Sequence, residues 1–270
     1  MIVREIECKS ILSDTGLPAD YAINCYVGCE HACCYCYARY MKRFTGHREP
    51  WGTFVDVRTN APEVLAREIR RKPRGSVMLS SVCDGWQPLE SKYGVSGECV
   101  KMLAEHGWPV SILTKSALVR RVLPVLEGKP ADLGMTVTTL DENLRRVIEP
   151  GASPTGERLA ALEEAAKRGI RVWAFLGPFL PMLTDTEENL EALFAAVARL
   201  PLTHIHTDRV NFRSGVAASL RRMAAKHFPE FADEYRWLGS HGDEDRAYAD
   251  QLETRIARVA EWYGMADRLA

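Results

Sequence analysis

Short apolar, β-branched runs recur from Ala22 onward, separated by stretches in which apolar residues return at helical spacing. The runs are AINCYV starting at Ala22, SVMLSSV (Ser76 to Val82), PVSILT (Pro109 to Thr114), LGMTVTTL (Leu133 to Leu140), IRVWAFL (Ile170 to Leu176) and LTHIHT (Leu202 to Thr207). Their length and residue types predict six strands. The intervening stretches carry helix punctuation. Asn60 and Pro62 precede EVLAREIRRK, Ser153 and Pro154 precede a helix that stops at Gly169, and Thr184 with Glu187 forms a capping-box pattern before a helix that stops at Pro201. Strands alternating with helices mean βα units and a parallel sheet joined by right-handed crossovers. Six such units curl into an α/β fold of the partial (β/α)6, TIM-like barrel type. Residues 1–210 form this barrel, and from Gly215 the pattern is helical, so 211–270 read as a helical C-terminal extension packed on it. Reactive groups are expected on loops after the C-terminal ends of the strands.

Composition narrows the class without naming a reaction. The chain has 270 residues, 46% of them apolar and 26% charged, which suffices for a sizeable core. The longest apolar run, Val172 to Leu183, is broken by Gly177, Pro178 and Pro181, so no membrane span is expected. MIVREIECKS has charges where a signal peptide would need a continuous apolar stretch, so no export signal is expected. A net charge of -1 gives no general attraction to nucleic acid. Four of the eight cysteines fall between Cys29 and Cys36, too close together to staple the fold by disulfides, and a reducing cytoplasm is expected.

That cluster is the chemical signal. Cys29, Cys33 and Cys36 make CxxxCxxC directly after the first predicted strand, with YARYMKRF following as a helix. Structural zinc takes four ligands, and no second CxxC or HxxxH stands nearby. Three thiolates suit a [4Fe–4S] cluster with one iron open to a ligand that is not protein. Cys34 is surplus and reads as a buried helical side chain.

On these residues the chain resembles the radical S-adenosylmethionine (SAM) superfamily, in which an aromatic residue, here Tyr35, precedes the third cysteine and lies against the adenine of SAM. The resemblance implies that the open iron is chelated by the methionine end of SAM. One-electron cleavage then releases a 5′-deoxyadenosyl radical that abstracts hydrogen from a substrate. It also implies a reductant such as flavodoxin or ferredoxin. INCYVGCEHACCYCYAR, DGWQPLE, LTKS, TVTTLDENLRRVIEPGASP and FLGPFLP, in that order, resemble the spore photoproduct lyase-like branch. That likeness implies that Lys115 reaches the SAM carboxylate and that a hydroxyl of Thr136 or Thr138 contacts SAM. It further implies that Ser81, Cys83 and Asp84 lie near the SAM amine, and that Phe175 to Pro178 packs on adenine.

Glu149, Gly151 and Ser153 read as parts of a turn, with Gly151 relieving strain and Ser153 capping the next helix. Gln87 and Glu90 are candidates for the substrate entrance. Lyases carry a hydrogen-donor cysteine where this chain has Ser81, and Tyr37 matches their tyrosine partner. Strand alternation would set the Cys83 thiol on the same face as Ser81, making Cys83 and Tyr37 the candidate hydrogen-transfer pair. YRW (Tyr235 to Trp237) is followed by the short, acidic LGSHGDEDRAYAD, where lyases have a basic hairpin for DNA. Arg213, Arg221, Arg222 and Lys226 form only a modest basic strip. His204, His206 and Asp208 share a face if the sixth strand runs that far, a pattern resembling a metal or acid–base site. A DNA-repair lyase and a non-catalytic metal protein that binds nucleic acid are the alternatives to an enzyme of unassigned substrate.

Overall fold

The computed structural model describes residues 1–212, 215–237 and 242–270, with side chains beyond position 245 in the last segment. The strands are β1 (Ile2–Ile6), β2 (Ser13–Asp14), β3 (Tyr21–Ile23), β4 (Tyr26–Val27), β5 (Phe54–Arg58), β6 (Val77–Leu79), β7 (Val110–Thr114), β8 (Ala131–Val137), β9 (Arg171–Phe179) and β10 (Leu202–Arg209). The helices are α1 (Ala61–Glu68), α2 (Glu90–Tyr93), α3 (Val95–Glu105), α4 (Leu123–Leu126), α5 (Glu142–Ile148), α6 (Thr155–Lys167), α7 (Glu187–Ala198), α8 (Val216–His227), α9 (Ala232–Trp237) and α10 (Gly242–Trp262). β3, β6, β7, β8, β9 and β10 lie side by side in chain order, all parallel, and β2 adds antiparallel outside β3. This is the six-stranded partial barrel expected from the pattern.

Alternation along β8 shows how the sequence builds it. Leu133, Met135 and Val137 are fully buried in the main core. Asp132, Gly134 and Thr136 point to the other face. A Cβ on Gly134 would sit 2.3 Å from the Trp173 ring, so glycine leaves the space that indole fills. On the outer side, α6 contributes Leu159, Ala161, Leu162 and Ala165. Each buried leucine there stabilises the fold by about 2 kcal/mol. A second core joins Cys33, Cys34 and Tyr35 to Ile148, Leu180, Leu220 and Tyr235, so α5, α8 and α9 carry the cysteine loop from beneath. No described helix is long and apolar enough to cross a membrane.

Several local expectations fail for identifiable reasons. AINCYV is two strands, because β3 stays in the barrel while β4 joins β5 and β1 in a separate sheet of three. SVMLSSV pairs only as far as Leu79. Ser153 does not cap α6, since its Oγ accepts from Ala117 N at 2.9 Å. Thr186 rather than Thr184 caps α7, because Thr184 Oγ1 accepts from Leu180 N at 2.7 Å. Cys34 is buried as expected, but in the turn before the 3-10 helix Tyr37–Phe44. Arg213 and the first part of LGSHGDEDRAYAD lie outside the described residues.

Candidate functional site

The cysteine loop leaves β4 through Gly28, whose φ of 91° places it where a Cβ would stand 2.3 Å from the Phe54 carbonyl oxygen. From there every turn is braced. Cys34 N donates to Ile148 O (2.9 Å), and Gly151 N donates to His31 O (3.1 Å). Gly151 is required by close approach, because a Cβ there would meet Glu30 O at 2.1 Å. The Arg39 guanidinium donates to the carbonyls of Cys33, Cys34 and Cys36 at 3.0–3.1 Å. Fully buried Gln87 accepts from Glu30 N at 2.8 Å. Glu90, also buried, accepts from Gly97 N (2.8 Å) and from the Tyr26 hydroxyl. These two residues therefore brace the loop and its strand, and the entrance role expected for them is not met.

Cys29 and Cys33 are buried and Cys36 is half-buried. Burial pushes all three thiols up, Cys33 to about 12 against the pull of Lys115. Cys33 and Cys36 each raise the cost of ionising their neighbours. Among the described residues no three His, Cys, Asp or Glu side chains converge on a single-ion site. Buried thiolates need a strong local positive charge, and a polynuclear iron centre supplies it. The donor set fits that group. The indole N–H of Trp51 is buried, has no acceptor within hydrogen-bond distance, and stands near enough to the Cys36 thiol to favour its ionised form.

Beside the thiols lies a buried polar network. Lys115 holds its ammonium 5.8 Å from the centre of the Tyr35 ring. Burial opposes that charge, but Cys33, Glu149 and Asp84 raise the Lys115 pKa and keep it protonated. The Tyr35 hydroxyl donates to Glu149, which also accepts from Thr138 Oγ1 (2.8 Å) and from Arg158 Nη2 (2.5 Å). Burial works against the Glu149 carboxylate, yet Arg158 and then Lys115 hold it down to about 2. Thr138 reaches the Gly177 carbonyl as well (2.8 Å), joining the ends of β8 and β9. Asp84 accepts from Trp86 N (2.9 Å), Thr114 Oγ1 (2.7 Å) and Lys115 N (2.8 Å), with His31 Nδ1 at 3.3 Å. Burial opposes its ionisation, but His31 and these donors bring it well below the carboxylate range.

A further group gathers on Asn24, which the sequence pattern did not single out. Its Nδ2 donates to Ser81 Oγ (2.9 Å), its Oδ1 accepts from Val82 N (2.9 Å), and the Cys83 thiol lies 3.6 Å from the same Oδ1. The Tyr37 hydroxyl donates to the Ser81 carbonyl. Ser81, Cys83 and Tyr37 thus come together, although not by strand alternation, since β6 ends at Leu79 and residues 81–83 are bends. Burial pushes the Cys83 thiol up to about 12. Thr136 and Phe175 are register partners on β8 and β9, with Pro178 near the end of β9. His204 and His206 do share a face of β10, but they pack on Trp173, with ring centres 5.1 and 5.4 Å away, and form no metal group among the described residues. Tyr235 is buried and donates to Pro181 O (2.9 Å), while Arg221 donates to Tyr235 O (3.2 Å), which takes both into packing.

Fold and site together give a partial barrel with a thiol-rich loop shortly after its first strand. The Radical SAM superfamily model matches residues 23–197, and the chain belongs to that superfamily. It is an enzyme of the radical SAM class, and its cofactors are a [4Fe–4S] cluster and SAM. An uncharacterized protein of Mycobacterium tuberculosis is 31% identical over 97% of this chain and 81% of its own length. One from Methanocaldococcus jannaschii is 33% identical over 68% of this chain and 70% of its own. In fold, the chain is similar to a spore photoproduct lyase mutant with bound AdoMet and dinucleoside spore photoproduct, with a TM-score of 0.72 and 15% identity over 98% of this chain and 79% of that one. It is less similar to Streptococcus suis SuiB bound to S-adenosylmethionine, with a TM-score of 0.52 and 13% identity over 79% and 47%.

Proposed function

We propose that Cys29, Cys33 and Cys36 ligate the cluster and that the chain abstracts hydrogen from a substrate held at the C-terminal ends of the barrel strands. The cofactor pair, once reduced by one electron, supplies a 5′-deoxyadenosyl radical. The protein's part is to bind, orient and exclude water. Lys115, kept cationic by its anionic neighbours, is placed to meet the methionine carboxylate. Ser81 flanks the amine. Asp84, with its oxygens committed to the chain, positions Lys115 through its backbone N–H. Thr136 offers a hydroxyl, whereas Thr138 holds the strand ends together. Tyr35, Phe175 and Pro178 supply the apolar surface for adenine. Eight free cysteines agree with a reducing, cytoplasmic setting.

One observation carries this reading: the three motif thiols, two of them buried, stand beside a half-buried lysine that the surroundings keep charged. Anaerobically reconstituted protein should form 5′-deoxyadenosine from SAM on reduction. Lys115→Ala should keep its iron and lose roughly tenfold in SAM affinity, about 1.4 kcal/mol. Unaltered SAM affinity in that variant would remove Lys115 from the site.

The meeting of Cys83 and Tyr37 at Ser81 favours a second reading, in which the enzyme returns hydrogen to its product as a photoproduct lyase-like repair enzyme would. Under it, Cys83→Ala changes the product distribution with a thymine photoproduct. No turnover of that substrate by the wild-type protein would dismiss this reading while leaving the first intact.

A further inference from the structure

Chemistry at the cysteine loop needs an electron from outside, and one surface leads directly to it. A groove of about 560 Å³ lies between the 3-10 helix Tyr37–Phe44, the turn at Trp51 and α8. Arg39, Lys42, Arg222 and Lys226 line it, and among the described residues no Asp or Glu does. The chain as a whole carries -1, so these cations are a local concentration of charge. Arg39 is spent on backbone carbonyls, and Lys42 donates to Arg48 O at 2.7 Å; such neutral partners leave both charges standing. Arg39 and Arg222 line the same groove, which gathers like charges on it. Cys34 and Trp51 line the same groove, and Arg39 in its wall donates to the carbonyls of Cys33 and Cys36. One side chain therefore separates the groove from a proposed cluster ligand.

We propose that this groove is the docking surface for an acidic one-electron carrier protein of the flavodoxin type. The inference rests on the reading of Cys36 as a cluster ligand. Like charges clustered without a carboxylate attract an anionic partner and steer its approach. In the transfer, a flavin hydroquinone would give up one electron and become a semiquinone, and a cluster held by Cys36 would take up that electron. A nucleic-acid strand is the less suitable occupant. The reacting end of a substrate belongs at the strand ends near Lys115 and Ser81, and among the described residues the groove's rings are Trp51 and His227, not a row of platforms on which bases stack.

The test is stopped-flow reduction of the reconstituted full-length protein by flavodoxin hydroquinone, read as bleaching of the cluster's visible absorption and checked by electron paramagnetic resonance. The wild-type rate constant should fall as salt rises. Arg222→Glu with Lys226→Glu should lower it roughly tenfold or more and flatten its salt dependence, with the milder Arg222→Gln and Lys226→Gln pair falling between. Reduction by photoreduced deazaflavin, a small donor that needs no docking, should be unchanged. Equal flavodoxin rates in wild type and variants would overturn the proposal. So would variants that lose only salt-dependent affinity for a single-stranded oligonucleotide, which would make the groove a nucleic-acid interface. Failure of the wild-type protein to form a cluster would instead overturn the ligand reading, and the docking inference with it.

Discussion

Arg158→Met removes the main cation facing Glu149 without leaving a large void. Both side chains of this pair are fully buried, and the contact is 2.5 Å. The guanidinium also donates to Ser153 O (2.8 Å) and Thr136 O (3.0 Å), so both carbonyls lose a donor in the variant. Glu149 sits at about 2 in place of its ordinary 4.5. At about 1.4 kcal/mol for each pH unit, that difference is worth about 3 kcal/mol. Breaking a buried pair from one side costs about 3–5 kcal/mol, the same range. The sign follows from the direction of the shift: a carboxyl depressed in the folded state stabilises fully above its ordinary pKa, and that stability drains away as pH falls from 4.5 toward about 2. Urea unfolding at neutral pH should therefore show the variant destabilised by about 3–5 kcal/mol, with a weaker acid-side decline than wild type. Adding Glu149→Gln should recover about 1–3 kcal/mol, because no charge is then stranded. A loss below about 1 kcal/mol, or an acid limb identical to wild type, would refute the assignment of Glu149 and Arg158 as the electrostatic support of the site.

Other expectations test separate parts of the structure. Gly151→Ala should displace the cysteine loop, since the new methyl meets Glu30 O, and iron content after reconstitution should drop by at least half with secondary structure retained by circular dichroism. Gly134→Ala should cost about 1–3 kcal/mol in thermal or urea unfolding, because the Trp173 ring must move. Asp84→Asn should weaken several charge-assisted bonds at once and cost about 1–3 kcal/mol, with SAM affinity falling alongside stability. Trp51→Phe should make the cluster harder to reduce, measured by redox titration, because a buried donor that favours the ionised Cys36 thiol is lost; an unchanged potential would mean that the indole does not act on the cluster.

Much of the barrel was legible because its signals are local. Each strand from β6 to β10 is an apolar run bounded by helix punctuation, and CxxxCxxC is a spacing that needs no partner elsewhere. What escaped the pattern depends on pairing across the chain. β1 exposes most of its residues and exists through its register with β5, more than 40 positions away, so no alternation of its own marks it. Asn24 looks like an ordinary break in a strand until its amide meets Ser81 and Val82. Gly151 resembles any turn glycine, yet what demands it is the backbone of Glu30. Glu149 and Arg158 are nine residues apart, where neither helix nor strand periodicity pairs them. The caps placed at Ser153 and Thr184 failed because both hydroxyls accept from other backbone N–H groups that the local sequence does not reveal.

The central claim is that three side chains, and no more, hold the metal centre. Iron and sulfide assays with electron paramagnetic resonance on anaerobically reconstituted protein, wild type against Cys29→Ala, Cys33→Ala and Cys36→Ala, measure this directly. One [4Fe–4S] cluster per chain is expected, with a spectrum that changes when SAM is added, and each single variant should lose the cluster while Cys34→Ala keeps it. A colourless protein holding one zinc ion, or a cluster whose spectrum ignores SAM, would contradict it.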